Sequence, residues 1–114
     1  MTENLLNRHC VPCEKKTPPL KNEVIKTFST ELKRPWQVVS GPHGLKKLSY
    51  EFIFANFPEA VAFINKIAPV AEAEGHHPDL YIFYNRVKVE LYTHSIGGLS
   101  ENDFILASKI ESLI

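Results

Sequence analysis

Three of the chain's five histidines lie close together, at His76, His77 and His94. Imidazole is the side chain that can both give and take a proton near neutral pH, since its ordinary pKa is about 6.5. If the three converge, three readings are open. They are hydrogen-bonded histidines with no chemical task, or ligands of a metal ion, or members of a metal-free acid–base site. The adjacent pair makes the metal reading awkward, because neighbouring side chains of an extended segment point to opposite sides. Two carboxylates stand nearby. Glu72 precedes His76 by four residues, a spacing that on a helix puts both on one side. Asp103 opens the last predicted helix, where it can cap the helix and also orient His94 through a hydrogen bond. A separate candidate is the pair Cys10 and Cys13, spaced C-x-x-C. It reads as half a zinc site, as a redox pair, or as reduced thiols in an N-terminal loop. No second C-x-x-C completes a set of zinc ligands, and the motif does not follow a strand of a βαβ unit.

The elements that must position these residues follow from periodicity. After Pro18-Pro19, the stripe Leu20, Val24, Phe28 and Leu32, with Ile25 beside it, predicts a helix that ends at Arg34-Pro35. Trp36–Ser40 predicts a strand and Gly41-Pro42-His43-Gly44 a turn. Leu48, Tyr50, Phe52 and Phe54 then alternate with Lys47, Ser49 and Glu51, the pattern of a half-buried strand that completes a hairpin. Asn56 should cap a helix with Pro58 in its first turn. Its apolar face is Ala60, Ile64, Ile67, Ala68 and Ala71, flanked by Phe63 and Val70. Pro69 should kink it by removing one hydrogen bond, and Gly75 should end it. Tyr81–Tyr84 and Val87–Thr93 predict a second hairpin with a turn near Asn85-Arg86. Ser100 to Asp103 reads as a capping-box variant, with Leu99 and Phe104 as its staple, opening a helix through Ile105, Ala107 and Ile110 to Ile114. The order α-β-β-α-β-β-α predicts an α+β fold, a four-stranded antiparallel sheet with three helices packed on one face. A hairpin returns the chain to where it began. His94, at the end of the fourth strand, should therefore lie beside His76 and His77, at the start of the third.

Composition narrows the function classes. The 114 residues suit a single domain over 1–114, with 1–19 as an N-terminal loop segment. With 44% hydrophobic and 23% charged residues the chain is expected to fold rather than stay disordered. Thirteen Lys+Arg against thirteen Asp+Glu give zero net charge, which argues against a nucleic-acid or anionic-membrane surface. No apolar run approaches the roughly 20 residues of a spanning helix, and Met1 to Arg8 lack the apolar centre of a signal peptide. A soluble cytoplasmic protein is expected. The sheet's open edges invite pairing, and the last helix carries apolar residues on more than one side, so one face is expected to be free for a partner helix. Both point to an oligomer.

The string Glu72-x-x-x-His76-His77-Pro78, followed by Tyr84, His94 and Asp103, resembles the signature of the pterin-4a-carbinolamine dehydratases. The surroundings are similar too: Tyr84-Asn85-Arg86-Val87, Thr93-His94, and Gly98-Leu99-Ser100-Glu101-Asn102-Asp103 ahead of Leu106-Ala107. Cys10-Val11-Pro12-Cys13-Glu14 and Pro18-Pro19-Leu20 resemble the N-termini of microbial members, and Trp36 matches the family's tryptophan. The chain departs from many members in carrying Gly75, rather than Asp, before the His-His pair, and Pro69 is unusual beside animal members.

The resemblance implies a lyase that eliminates water from 4a-hydroxytetrahydropterin to give quinonoid dihydropterin. That reaction recycles the tetrahydropterin of aromatic amino acid hydroxylases, which are the implied functional partners. It implies His76, His77 and His94 as catalytic residues. Glu72, His76, His77, Pro78, Thr93, His94, Ser95 and Ile96 are implied as the pterin-binding set, with Asp103 and Trp36 in support. No metal or other cofactor is implied, and the expected assembly is a homodimer or homotetramer. Within that frame His76 and His94 are the expected acids on either side of a flat ring, and His77 a binding residue. Glu72 can accept the paired N–H groups of the pterin edge, and Trp36 or Tyr84 can wall the site. The alternative is a non-catalytic interaction or regulatory protein on the same fold, a transcriptional coactivator or an assembly factor. The three retained histidines favour the enzyme.

Overall fold

Alternation decides the sheet. Leu48, Tyr50 and Phe52 pair across the ladder with Leu91, Val89 and Val87, so one face of the two central strands is a continuous apolar surface. The computed structural model describes residues 5–11 and 18–114. Its strands are β1 (Gln37–Ser40), β2 (Lys46–Ile53), β3 (Asp79–Phe83) and β4 (Arg86–Leu91). All neighbours are antiparallel, in the order β1-β2-β4-β3. Helices α1 (Asn22–Glu31), α2 (Phe57–Glu74) and α3 (Glu101–Glu111) cover the apolar face. The architecture is the expected α+β one.

Local signals set most of the boundaries. The Asn56 side chain accepts the Glu59 amide at 2.9 Å and starts α2. Gly75, at φ 64°, ends it in the left-handed conformation that a Cβ disfavours. The helix is continuous through Pro69, which lies on its exposed side. Its buried residues are Ala60, Phe63, Ile67 and Ala71, so Phe63 is central rather than flanking and Ala68 is exposed. In α1 the strict four-residue stripe also shifts. Ile25 and Leu32 are buried while Val24 is exposed, because a spacing of four drifts around a helix of about 3.6 residues per turn. The second hairpin turns one residue earlier than expected. Phe83 pairs with Arg86 and Tyr84 takes φ 54°, while the Asn85 side chain donates to the Phe54 carbonyl at 2.9 Å.

The last helix differs most from expectation. Almost every residue of α3 is buried, and no face of it is left for a partner helix. Phe104 stacks on Phe28 of α1 at 5.4 Å between centroids. The N-terminal segment, read as loop, makes a 3-10 turn at Leu5–Asn7 that puts Leu5 into the core at 1% exposure. Two leucines are too few to show a period, so this cover was invisible in the sequence.

Candidate active site

The first turn of α3 and the end of α2 build the site. Ser100 caps α3, and the Asp103 carboxylate accepts the Ser100 amide at 2.9 Å, the reciprocal half of the capping box. The Thr93 hydroxyl donates to the same oxygen, Oδ2, at 2.9 Å, and Ser100 Oγ lies 2.6 Å from Thr93 Oγ1. The other oxygen, Oδ1, meets His76 Nε2 at 2.6 Å. Asp103 is fully buried at 0% exposure, and the Ser100 amide and the Thr93 hydroxyl both donate to its Oδ2. An ionised carboxylate only accepts, so toward an ionised Asp103 the matching His76 tautomer carries its proton on Nε2.

This corrects two expectations. Asp103 orients His76, not His94. Glu72 does not share a side with His76. Its carboxylate meets His77 Nε2 at 2.7 Å instead, with both side chains well exposed. The cause is Gly75: its left-handed backbone takes the chain off the helix, so the four-residue helical relation no longer reaches His76.

His94 arrives from the other direction. Thr93 and Gly98 form an isolated bridge, with the Thr93 amide donating to the Gly98 carbonyl at 2.8 Å. The loop thus closed carries His94–Ile96 as a 3-10 turn. Gly98 is required there by crowding, since an added Cβ would come within 2.9 Å of the Pro19 Cβ. His94 leans edge-on to Tyr92, centroids 6.2 Å apart. The three histidines line one open cleft of about 350 Å³ together with Thr93 and Ser95, a volume suited to a small heterocycle. Tyr92, Asp79, Val11 and Asn102 line it as well. None of these four was expected. Asn102 stands next to Asp103, which was a usable hint; Val11 carried no signal.

Other expected residues stand away from the cleft lining. Pro78 and the buried Ile96 do not line it. Tyr84 is exposed at the β3–β4 turn. Trp36 is a core residue. Its ring stands against Tyr50 and Phe52, and its Nε1 donates to Glu111 at 3.0 Å. Cys10 is half-buried, with Sγ 3.6 Å from the Asn102 carbonyl. Burial, and then the nearby carboxylates of Glu74 and Asp103, push its thiol up to about 12. A thiol that stays protonated is a poor metal ligand or redox nucleophile. Cys13 lies outside the described residues. Among the described residues no group of three His, Cys, Asp or Glu side chains is arranged to hold a metal ion, and no helix is long and apolar enough to cross a membrane.

An α-β-β-α-β-β-α fold with this histidine cleft defines a class, and comparison with known proteins identifies it. The sequence profile of the family "Pterin 4 alpha carbinolamine dehydratase" matches residues 18–113, and the chain belongs to that family. A relative from Alkaliphilus metalliredigens, named "Putative pterin-4-alpha-carbinolamine dehydratase", is 44% identical over 95% of this chain and 94% of its own. One of the same name from Rickettsia canadensis is 48% identical over 96% and 97%. A crystal structure from Brucella melitensis, described as a transcriptional coactivator/pterin dehydratase, superposes with a TM-score of 0.75 at 33% identity, covering 83% of this chain and 97% of that one. A pterin dehydratase-like protein described as a RuBisCO assembly factor shares the fold, with a TM-score of 0.59 at 21% identity over 71% and 90% of the two chains.

Proposed function

We propose that this protein is a 4a-hydroxytetrahydropterin dehydratase, acting by histidine acid–base catalysis without a metal or other cofactor. The observation that carries the reading is the cleft into which two independently held imidazoles open, His76 from the end of α2 and His94 from the loop after β4. The elimination needs the C4a hydroxyl protonated, so that the C–O bond breaks and water leaves, and it needs the N5 proton removed as the C=N bond forms. With Nε2 of His76 held by Asp103, Nδ1 is the atom free to pass a proton to the hydroxyl. His94 serves the isomer whose hydroxyl projects from the other ring face. Either imidazole can recover its proton as N5 loses one, so no net proton is consumed. His77, with Glu72 behind it, binds the polar edge of the pterin, and Thr93 and Ser95 offer further hydrogen-bonding groups there. The physiological setting would be the cytoplasm, in recycling of the tetrahydropterin used by an aromatic amino acid hydroxylase.

The test is an assay with freshly generated 4a-carbinolamine. Wild type should speed dehydration well above the spontaneous rate, and EDTA should leave the rate unchanged. Loss of activity in EDTA, restored by zinc, would overturn the acid–base account. Absence of any acceleration would favour the second reading, a regulatory protein, for which the naming of the Brucella structure as a coactivator as well as a dehydratase is the support.

A homodimer, or a tetramer built from dimers, belongs to the same proposal. Among the described residues the edges β1 and β3 each leave one side of the ladder unpaired, and β3 exposes Tyr81 and Phe83. Light scattering at micromolar concentration should return at least twice the 13.0 kDa of one chain. A single-chain mass would refute the assembly.

A further inference from the structure

The segment 8–11 has no helix or strand to hold it after the Leu5–Asn7 turn, yet it crosses the ends of α2 and α3 and brings Val11 to the cleft. Besides the Arg8–Glu101 ion pair at 2.6 Å, two polar side chains grip residues 9–11. Glu74, near the end of α2, accepts the Cys10 amide on Oε1 at 2.7 Å, and its Oε2 meets His9 Nδ1 at 2.9 Å and Lys109 Nζ at 3.7 Å. The Glu74 side chain is largely covered, 8% exposed. Burial by itself would raise its pKa, but the Cys10 amide, His9 and Lys109 together outweigh burial and hold it below the ordinary value. Asn102, in the first turn of α3, grips Val11 at both ends of its backbone. The Val11 amide donates to Oδ1 at 3.0 Å, and Nδ2 donates to the Val11 carbonyl at 2.6 Å. This copies a strand-pairing contact with a side chain. The chain's conformational entropy opposes such an ordered crossing, so it persists only where several directed bonds act together.

Val11 itself is 65% exposed. Its side chain is an apolar surface on the rim of a cleft whose other members are mostly histidine, hydroxyl and carboxylate groups. A flat heterocycle is held by polar groups at its edge and apolar contact on its faces. We propose that Glu74 and Asn102 are positioning residues, which fix the backbone of residues 9–11 so that Val11 forms an apolar wall against the bound pterin. The inference rests on the pterin reading of the cleft and adds to it the residues that set ground-state affinity.

The experiment compares wild type with Val11→Gly, Asn102→Ala, Glu74→Ala and Glu74→Gln. Binding is read with oxidised 6-methylpterin, a stable fluorescent probe, alongside kcat and KM for the carbinolamine. Each truncation should raise both the probe's Kd and KM about tenfold, with kcat changed less than about threefold, the pattern of lost uniform binding. Glu74→Gln keeps an acceptor for the Cys10 amide and should recover most of the affinity. Hydrogen exchange at the Cys10 and Val11 amides should quicken in Glu74→Ala and Asn102→Ala. Val11→Gly changes an exposed side chain and serves as the variant whose folding is not in question; cooperative melting checks the others. Unchanged amide exchange overturns the grip, and quickened exchange with unchanged Kd and KM overturns the wall. A fall in kcat at constant KM also overturns it, because Asn102 would then act through Asp103. If wild type neither binds the probe nor turns over the carbinolamine, the pterin reading fails and the wall fails with it. Loss confined to the variants leaves that reading intact.

Discussion

His76→Ala is expected to lower kcat for one stereoisomer of the 4a-hydroxy substrate by about 10²–10³-fold, and His94→Ala to do the same for the other, the range usual for losing a general acid. The two imidazoles are carried by separate segments that line one cleft. On the proposed mechanism each imidazole serves the isomer whose hydroxyl projects toward it, so losing one should spare the other isomer. Asp103→Asn should reproduce part of the His76 loss and spare the His94 isomer. The amide keeps the shape, but its NH₂ group competes as a donor where Thr93, Ser100 and His76 all supply donors. Stopped-flow turnover of each isomer separately is the measurement. Loss of one isomer in His77→Ala, with both retained in His94→Ala, would reverse the assignment.

Glu111→Ala should destabilise the fold by about 3 kcal/mol, the scale expected when buried donors lose a charged acceptor. Glu111 closes α3, and its carboxylate accepts the Lys33 amide at 2.6 Å, the Arg34 amide at 3.2 Å and Trp36 Nε1 at 3.0 Å. It ties the α1–β1 connection to the last helix. Truncation leaves a buried indole N–H with no acceptor and a gap beside Trp36, itself seated on Tyr50 and Phe52. Urea unfolding should show a lower midpoint with an unchanged slope, and the melting temperature should fall by about 10 °C for a domain of this size. Glu111→Gln, which keeps an acceptor oxygen, should lose less than half as much. A midpoint equal to wild type in Glu111→Ala would show that the connection is held by packing alone.

What was legible in the sequence was what repeats or what sits beside its partner. Leu48, Tyr50 and Phe52 announced their face by alternation. Asn56, Gly75 and the Ser100–Asp103 box announced helix ends by residue type, and hairpin return placed His94 near His76 without any contact being known. The misassigned contacts each turned on one backbone angle or one spare lone pair. Gly75 diverted His76 away from Glu72, and Asp103 used one oxygen for its cap while the other reached His76 rather than His94. The contacts not foreseen join distant positions. Trp36 and Glu111 are 75 residues apart, and Val11 and Asn102 are 91 apart. Such pairs leave no periodic trace, because the geometry that unites them exists only after the sheet and helices have assembled.

Glu101, Asn102 and Asp103 are consecutive, yet they reach three separate residues, two along the N-terminal segment and one past the end of α2: Arg8 at 2.6 Å, Val11, and His76. Successive residues of a helix point about 100° apart, so these three side chains fan around α3 like the wards of a key. Their angular phase is locked by Phe104, Ile105 and Leu106, buried on the following turn. One residue inserted between Asp103 and Phe104 would rotate the fan by about 100° against that lock. Asp103 would leave His76 and Asn102 would leave Val11 in the same movement. The His76 side and the Val11 side of the cleft therefore share a single rotational setting, and neither can be retuned through this helix without resetting the other.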